Sequence, residues 1–419
     1  MRVLMANKYL YPRAGAETYM LSVAAELKAR GHEVAFFGME HAENTTLGPA
    51  HTIPILEFGI KHGALNAIKN VGHAAWMAVT RLTQRRLDAA VKSFKPDLIH
   101  AHNIYNQLSP SLFQKYVDSI PVVMTVHDYK PVCPNYSLFT EGQTCTRCLS
   151  GGFRNCVTHR CVQGSVVKST LAATSAWLHK LKRTYTRGYR LLISPSAFLK
   201  RQLVAGGIPE EHVRVLNNFA APAPEFTPPG DGILYFGRLC REKGVDALLL
   251  AYAGMPEPRP HLSIAGEGPL GYDLKALAAR NNLREIRWLG RIPPSEVAKE
   301  LDACAVSVVP SLWYENCSMA ILESLSRGRA VVASDSGGNS ELIRPGIDGL
   351  LFKAGDVDAL RSKLIELAAA KNTLSKMGLA ARESARERFS PAVHIQGLLR
   401  AYEAARAIPI AQLTAVKSR

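Results

Sequence analysis

The sequence predicts an α/β protein built from two doubly wound domains, and three observations point that way. Short apolar runs of strand length alternate with helical patterns along most of the chain, which favours parallel sheets covered by helices on both faces. The alternation breaks once, at the Pro- and Ala-rich stretch Asn217–Asp231, and then starts again. A length of 419 residues suits two domains rather than one. The boundary predicted from the linker divides the chain into 1–217 and 218–388.

Residues 2–6 (RVLMA) read as a buried strand, and Gly15 lies in the loop after it. From Thr18 to Ala29 the apolar positions Met20, Val23, Ala24 and Leu27 recur at helical spacing, and Gly31 stops the helix. His32–Phe37 is a second strand. Residues 65–95, rich in Ala, Leu, Lys and Arg, read as one long helix, and Asp97–His100 and Val122–Val126 as short apolar strands. Residues 130–164 carry Cys, Gly, Pro and Thr without periodicity and read as an inserted loop. A helical pattern returns over 165–188, and Leu191–Ile193 reads as a strand running into the helix-capping Ser194-Pro195-Ser196. Beyond the linker, Ile233–Phe236, Leu262–Ala265, Ile286–Leu289, Val306–Val309 and Ala330–Ala333 are five apolar strands separated by helical patterns. The stretch from about Phe389 to Ala407 is an amphipathic helix.

The chain carries 51 Lys plus Arg against 35 Asp plus Glu, a formal charge of +16, and such an excess points to an anionic partner. Its distribution narrows the choice. No acidic residue occurs between Glu141 and Glu210, a stretch holding Arg147, Arg154, Arg160, Lys168, Lys180, Lys182, Arg183, Arg187, Arg190, Lys200 and Arg201. Within it, Trp177, Leu178, Leu181 and Tyr185 accompany the basic residues, the composition of a helix lying on an anionic membrane surface and equally of a solvated basic face. No nucleic-acid-binding module accompanies the charge, so no nucleic-acid partner is expected. No G-x-G-x-x-G follows the first strand, which argues against a dinucleotide dehydrogenase. The start, MRVLMANKYLYP, is too short in its apolar run for a signal peptide, and no window has the apolar length of a spanning helix. The expectation is a cytoplasmic protein, at most peripheral at the inner face of the cell membrane.

In a reducing cytosol, cysteines serve as thiols or metal ligands. Five of them, Cys133, Cys145, Cys148, Cys156 and Cys161, fall within 29 residues. A C-x2-C followed by a C-x4-C fits a structural zinc held by Cys145, Cys148, Cys156 and Cys161, with Cys133 and His159 as substitute ligands. A loop of free thiols fits the same pattern.

The second half holds the residues that suggest chemistry. Strand 233–236 runs into Gly237-Arg238-Leu239, with Glu242-Lys243-Gly244 just before a helix. A strand-to-helix junction offers free N–H groups and the positive end of a dipole, to which Arg238 and Lys243 add two cations, so the place suits a diphosphate. Two solvated surface cations are the plain alternative. The next strand ends in Ala265-Gly266-Glu267-Gly268-Pro269, whose glycines permit close approach to a ligand. After strand 306–309, Glu315 and Glu323 stand eight apart, with Cys317, Ser318 and Met319 at the start of a helix predicted over 317–326. Their carboxylates can accept hydrogen bonds from sugar hydroxyls and from a ribose diol, while the N–H groups of Cys317, Ser318 and Met319 face a phosphate. A cap and a salt-bridged helix glutamate would also explain the pair.

GRLCREKG (237–244), AGEGP (265–269), the E-x7-E of Glu315 and Glu323 and SDSGGNSELI (334–343) occur in the order and at the intervals of glycosyltransferase family 4. The chain resembles that family over most of its length, and the insert at 130–164 is its least typical part. The resemblance implies the GT-B fold, two Rossmann-like domains facing each other across a cleft. Residues 1–217 would form the acceptor-side domain and 218–388 the nucleotide-sugar domain, with helix 389–407 packing back on the first. It implies a retaining hexosyltransferase that moves a sugar from a nucleoside-diphosphate sugar to a lipid-linked or saccharide acceptor, in cell-surface polysaccharide or glycolipid assembly. The alternative on the same fold is a sugar-nucleotide epimerase. By the family pattern, Arg238 and Lys243 bind the diphosphate and stabilise its charge as it leaves, Glu315 holds the donor sugar and Glu323 the ribose. Gly15 and Ala16 approach the phosphates by backbone, beside Gly266. His127, in TVHD after strand 122–126, stands beside the transferred sugar. His102, Asn103 and Asp128 are acceptor-side candidates. No catalytic metal is expected.

Overall fold

The computed structural model describes residues 1–54, 68–105, 108–223, 225–368 and 370–408. Its strands are β1 (Arg2–Ala6), β2 (Glu33–Met39), β3 (Ala50–Ile53), β4 (Leu98–Ala101), β5 (Val122–Thr125), β6 (Phe139–Thr140), β7 (Gln143–Thr144), β8 (Leu191–Ser194) and β9 (Val213–Val215) in the first half. The second half contributes β10 (Ile233–Phe236), β11 (Leu262–Ala265), β12 (Ile286–Gly290), β13 (Val306–Val309), β14 (Ala330–Ser334) and β15 (Gly349–Phe352). One seven-stranded sheet runs β3-β2-β1-β4-β5-β8-β9, and a six-stranded sheet runs β12-β11-β10-β13-β14-β15. Every pairing in both is parallel; β6 and β7 form a separate antiparallel hairpin.

The central strands are buried on both faces, so their sequences are continuous apolar runs rather than alternating ones. Val3, Leu4, Met5 and Ala6 of β1 have no exposed surface. Leu4 and Ala6 face one core, with Phe37, Ile99 and Met124, while Val3 and Met5 face the other, with Tyr19, Met20 and Val23 of the helix Gly15–Ala29. Besides the β6–β7 hairpin, the strands absent from the sequence reading are β3, β9 and β15. All three lie at sheet edges; in β3 and β9 exposure removes the apolar signal, with Arg214 and Val215 of β9 exposed, whereas β15 is short and mostly buried.

In each sheet the strand order reverses once, between β1 and β4 and between β10 and β13. Open α/β sheets bind ligands in the crevice at the carboxyl ends of such strands. The chain ends by crossing between the two sheets. Helix Lys371–Arg388 packs on the second domain through Leu374, Met377, Ala381 and Ala385. Ser390 then caps a new helix, Pro391–Ala407, whose Ile395, Leu398 and Tyr402 join the core of the first domain.

Two elements differ from the sequence reading. The insert is not an irregular loop: it holds the β6–β7 hairpin and two short helices, Arg147–Gly151 and Arg154–Thr158. Helix Val166–Leu181 covers them, burying Ala173 against Cys148 and Cys156. The helical pattern of 165–188 breaks at Arg183, which adopts a left-handed φ of 49° and starts the short helix Thr184–Arg187 in a new direction. Of the helix read over 65–95, Ile68–Phe94 is observed, and residues 65–67 lie outside the described residues.

Candidate active site

The second sheet contributes a rigid, charged mouth. After β10 the backbone turns at Gly237, and after β11 at Gly266, with φ of 154° and 145°. The two turns press together: a Cβ on Gly266 would stand 1.8 Å from the Gly237 carbonyl oxygen, so only glycine fits. Lys243 reaches across to donate to Glu315 Oε1 at 2.6 Å, and the Ser311 hydroxyl donates to the same oxygen at 2.6 Å. Burial works to raise the Glu315 carboxyl, but Lys243 and these hydrogen bonds prevail and hold it below the usual carboxylate range. Arg238 remains mostly exposed at the mouth, bonded to Glu242 Oε1 at 3.2 Å. The two residues read from sequence as independent binders, Lys243 and Glu315, therefore form a single ion pair.

The later SDSGGNSELI motif serves that loop. Gly337 bridges to Glu315 in parallel register, and the Gly338 N–H donates to the Glu315 carbonyl at 2.6 Å. A Cβ on Gly337 would lie 2.2 Å from that carbonyl oxygen, so glycine is required for the contact. Further along, Glu341 accepts from the N–H groups of Ala197 and Phe198 at 2.7 and 2.5 Å, capping a helix of the first domain from the second. Two more bonds cross the cleft: Asn316 Nδ2 to the His127 carbonyl at 2.7 Å, and the Tyr129 hydroxyl to the Tyr314 carbonyl at 3.1 Å. Neither Glu341 nor Asn316 carried a distinguishing signal in sequence beyond lying in or beside the family motifs.

Helix Met319–Ser326 begins at the cap residue Ser318, two residues later than its predicted start, so Cys317 lies outside it and is buried in the domain core. Glu323 lies half-buried on this helix, and burial pushes its carboxyl up to about 7. Together with Gly15, Thr18, Ile292 and Met319 it lines a cavity of about 580 Å3 between the domains. Gly15 is the first residue of its helix rather than part of the preceding loop, and a Cβ there would stand 3.8 Å from Met319 across the cleft.

The first domain contributes a cluster of rings. His102 and His127 meet with Nδ1 and Nε2 3.1 Å apart, and Tyr19 lies edge-on to His127 at 5.2 Å between centroids. Behind them His100 bonds Thr125 Oγ1 at 2.8 Å and the Tyr402 hydroxyl at 2.7 Å, while His394 meets the Tyr19 hydroxyl at 2.9 Å. Burial pushes His100 and His127 down to about 3, His394 down to about 4 and His102 well below its ordinary value, so all four rings are neutral at neutral pH. His102 is completely buried, in contact with His127, Tyr19 and His100. Asn103 and Asp128 instead line a second cavity of about 230 Å3, with Lys8, Glu17, Tyr105 and Lys130, four residues that carried no motif. Burial raises Asp128 to about 6 despite Lys130 nearby.

The zinc site read from Cys145, Cys148, Cys156 and Cys161 finds no support in the structure. All eight cysteines are free, and among the described residues no three of His, Cys, Asp and Glu form a group that can hold a metal ion. Cys148 and Cys156 turn into a small apolar core with Ala173, flanked by Phe153, Val157 and Cys161, and burial pushes both thiols up to about 12. Cys133 joins the main core, and His159 pairs with Glu141 at 3.4 Å. The insert is stabilised by burying its thiols as small apolar groups.

Two doubly wound sheets with facing switch points and a terminal helix that crosses back define the GT-B class. The profile of Glycosyltransferase Family 4 matches residues 13–222, and that of Glycosyl transferases group 1 matches residues 225–384. The chain belongs to this glycosyltransferase family. Sulfoquinovosyl transferase SQD2 of Arabidopsis thaliana is 26% identical over 322 residues, covering 71% of this chain and 55% of that protein. An uncharacterized glycosyltransferase of Methanocaldococcus jannaschii is 29% identical over 170 residues, 41% of this chain and 47% of that protein. The chain thus spans about half the length of these two relatives. A glycogen synthase of Mycobacterium tuberculosis is 28% identical over 319 residues, 72% of this chain and 67% of that protein. Among solved structures, sucrose-phosphate synthase from Thermosynechococcus elongatus superposes with a TM-score of 0.71 at 17% identity, over 97% of this chain and 99% of that one. Anabaena HepE in complex with UDP superposes with a TM-score of 0.66 at 17% identity, over 96% of this chain and 100% of that one. Among the described residues no helix is long and apolar enough to cross a membrane.

Proposed function

We propose that the protein is a retaining hexosyltransferase that moves a sugar from a nucleoside-diphosphate sugar to a lipid-linked or saccharide acceptor, in cell-surface polysaccharide or glycolipid assembly. The observation that supports it best is the cavity of about 580 Å3 between the domains, where Gly15, Ile292, Met319 and Glu323 converge; Glu315, paired with Lys243, lies four residues before Met319 in the chain. In this reading Glu323 accepts from the ribose diol and the backbone near Ile292 meets the base. Gly15 and Ala16 of the first domain and the starts of the glycine turns and of helix Met319–Ser326 face the phosphates. Arg238 and Lys243 take up the charge that the diphosphate gains when its bond to the sugar breaks. Lys243 then exchanges part of its bond to Glu315 for phosphate oxygens, which frees Glu315 to accept from the sugar hydroxyls. The acceptor oxygen bonds to the anomeric carbon on the face the diphosphate leaves, and its proton passes to the departing phosphate. The neutral His127 ring stands at the floor of the cleft, beside the transferred sugar. Solved structures of the similar HepE contain UDP and UDP-glucose, which favours a uridine nucleotide. The second cavity, at Asn103 and Asp128, favours transfer over epimerisation, which needs no acceptor site. The basic, acid-free stretch favours a position at the cytoplasmic face of an anionic membrane.

A thermal-shift screen with UDP, GDP, ADP and their sugars, on wild type and Glu323→Ala, tests this reading. At 100 times its Kd a ligand stabilises by about 2.7 kcal/mol, a rise of a few degrees. A rise with one nucleotide, lost in the variant, is expected. No rise with any nucleotide overturns the reading.

A further inference from the structure

Where the chain passes from one domain to the other, its linker docks on the crossover helix. Asn217 Nδ2 donates to the Pro195 carbonyl at 2.8 Å, which holds this residue to the first domain. The next residue, Asn218, turns its Nδ2 to the Met319 sulfur of the second domain at 3.8 Å. Between these two anchors, the Asn217 carbonyl accepts from Nδ1 of His394 at 2.7 Å, in the first turn of helix Pro391–Ala407. Phe219 then lays its ring 4.7 Å from the His394 ring, centroid to centroid.

These partners decide where the proton of the ring sits. A carbonyl oxygen only accepts, so His394 Nδ1 carries the hydrogen. Burial pushes the ring down to about 4 and keeps it neutral, which leaves Nε2 bare. Nε2 therefore accepts, and the Tyr19 hydroxyl, 2.9 Å away, donates to it. His394 and Tyr19 are each only 2% exposed, so each depends on the other for this bond. The Tyr19 ring so held lies edge-on to His127, at 5.2 Å between centroids and 70° between planes. His127 is then held from three sides: its carbonyl accepts from Asn316 of the second domain at 2.7 Å, its Nε2 meets His102, and its ring meets Tyr19. Packing alone does not ask for a bonded His394–Tyr19 pair, since an apolar pair of the same shape fills such a space at little cost in stability. What the bond adds is direction, and the ring it directs is the one against His127.

We propose that His394 is a positioning residue of the reaction centre: it takes its orientation from the linker carbonyl of Asn217, fixes the Tyr19 hydroxyl, and so sets the ring against which His127 stands. The proposal rests on the transferase reading, in which His127 stands beside the transferred sugar. It gives the crossover helix a part in the reaction besides joining the two cores. His394 does not line the cavity between the domains, where Gly15, Met319 and Glu323 converge, so its effect falls on turnover and not on nucleotide binding.

Steady-state kinetics and histidine NMR of the full chain test the assignment. Tyr19→Phe keeps the ring and removes the hydroxyl, His394→Leu removes both bonds, and His394→Gln keeps an amide N–H for the Asn217 carbonyl and an amide oxygen for Tyr19. Tyr19→Phe and His394→Leu should each lower kcat about tenfold, the scale of a small misplacement at a reacting centre, with KM for the nucleotide sugar unchanged. The double variant should lose no more than either single one, because both remove the same bond. His394→Gln should recover most of the rate. By NMR, His394 should carry its proton on Nδ1, and the His127 resonances, assigned with His127→Gln, should shift in Tyr19→Phe. Losses below about twofold in both single variants, losses that multiply in the double variant, or His127 resonances unmoved by Tyr19→Phe overturn this inference alone. Should His394→Leu fail to fold, Tyr19→Phe and His394→Gln decide. A protein that answers to no nucleotide overturns the transferase reading, while the His127 resonances still report whether Tyr19 acts on that ring.

Discussion

The two parallel sheets are wound in the same order about their switch points, yet those switch points are furnished by opposite means. At the second sheet the mouth is made of backbone and fixed charge: glycine turns at Gly237 and Gly266 in contact, and Lys243 bonded to Glu315. At the first sheet it is made of neutral rings, His102 and His127 backed by His100, Tyr19 and His394, with side-chain cavities beyond. One scaffold thus offers two kinds of recognition. Backbone N–H groups and paired charges suit a group that is always a diphosphate, and side chains on an insert suit a partner whose shape must be chosen.

Four changes break or sharpen this contrast. The largest effect is expected at the charged mouth. Lys243→Met should lower kcat/KM by about 10²–10³-fold, the cost of losing one preorganised donor to the developing charge. Steady-state kinetics with the nucleotide sugar identified by the thermal screen checks it, and a loss below about fivefold would mean the pair is structural. Next is the glycine contact: Gly266→Ala forces a Cβ against the Gly237 carbonyl and should destabilise the second domain by about 1–3 kcal/mol, read from urea unfolding.

The third is pH. Glu323 is raised from 4.5 to about 7, so the stability due to its protonated form is full below pH 4.5 and is lost as pH rises through 7. The buried histidines run the other way: held near 3 against an ordinary 6.5, they cost stability as pH falls below 6.5. The contributions of Glu323 and of these histidines therefore have opposite slopes between pH 4.5 and 6.5. Because a ribose diol donates to the ionised carboxylate, nucleotide affinity should rise about tenfold from about pH 6 to about pH 8, and Glu323→Gln should flatten that profile. An unchanged slope in the variant would remove Glu323 from the ribose site. The smallest effect is expected at the contact between domains, where Glu341→Ala leaves the N–H groups of Ala197 and Phe198 without their cap. A loss of about 1 kcal/mol is expected by urea unfolding.

Much of this was legible along the chain. Central strands buried on both faces write themselves as apolar runs, so β1, β5, β10, β11, β13 and β14 could be read to within a residue or two. Gly266 and the SDSGGNSELI glycines were visible as motif positions, and the structure supplies the reason, backbone contacts that exclude a Cβ. The edge strands β3 and β9 were not legible, since one exposed face erases the pattern. Nor was the insert: its C-x2-C spacing suggested a metal, but thiols at such spacing also pack as small apolar side chains, and helix Val166–Leu181 decides the matter by covering them.

The sequence by itself determined the two doubly wound units, the family and the candidate residues of the donor side, because these depend on local periodicity and on motifs within single loops. Only the tertiary structure decided that Lys243 and Glu315 form one pair, that the His102 and His127 rings meet, and that Glu341 caps a helix of the other domain. Each of these joins residues from separate loops or domains, 25 to 144 positions apart for the three bonded pairs, and no one-dimensional pattern records which distant side chains share a space of low dielectric.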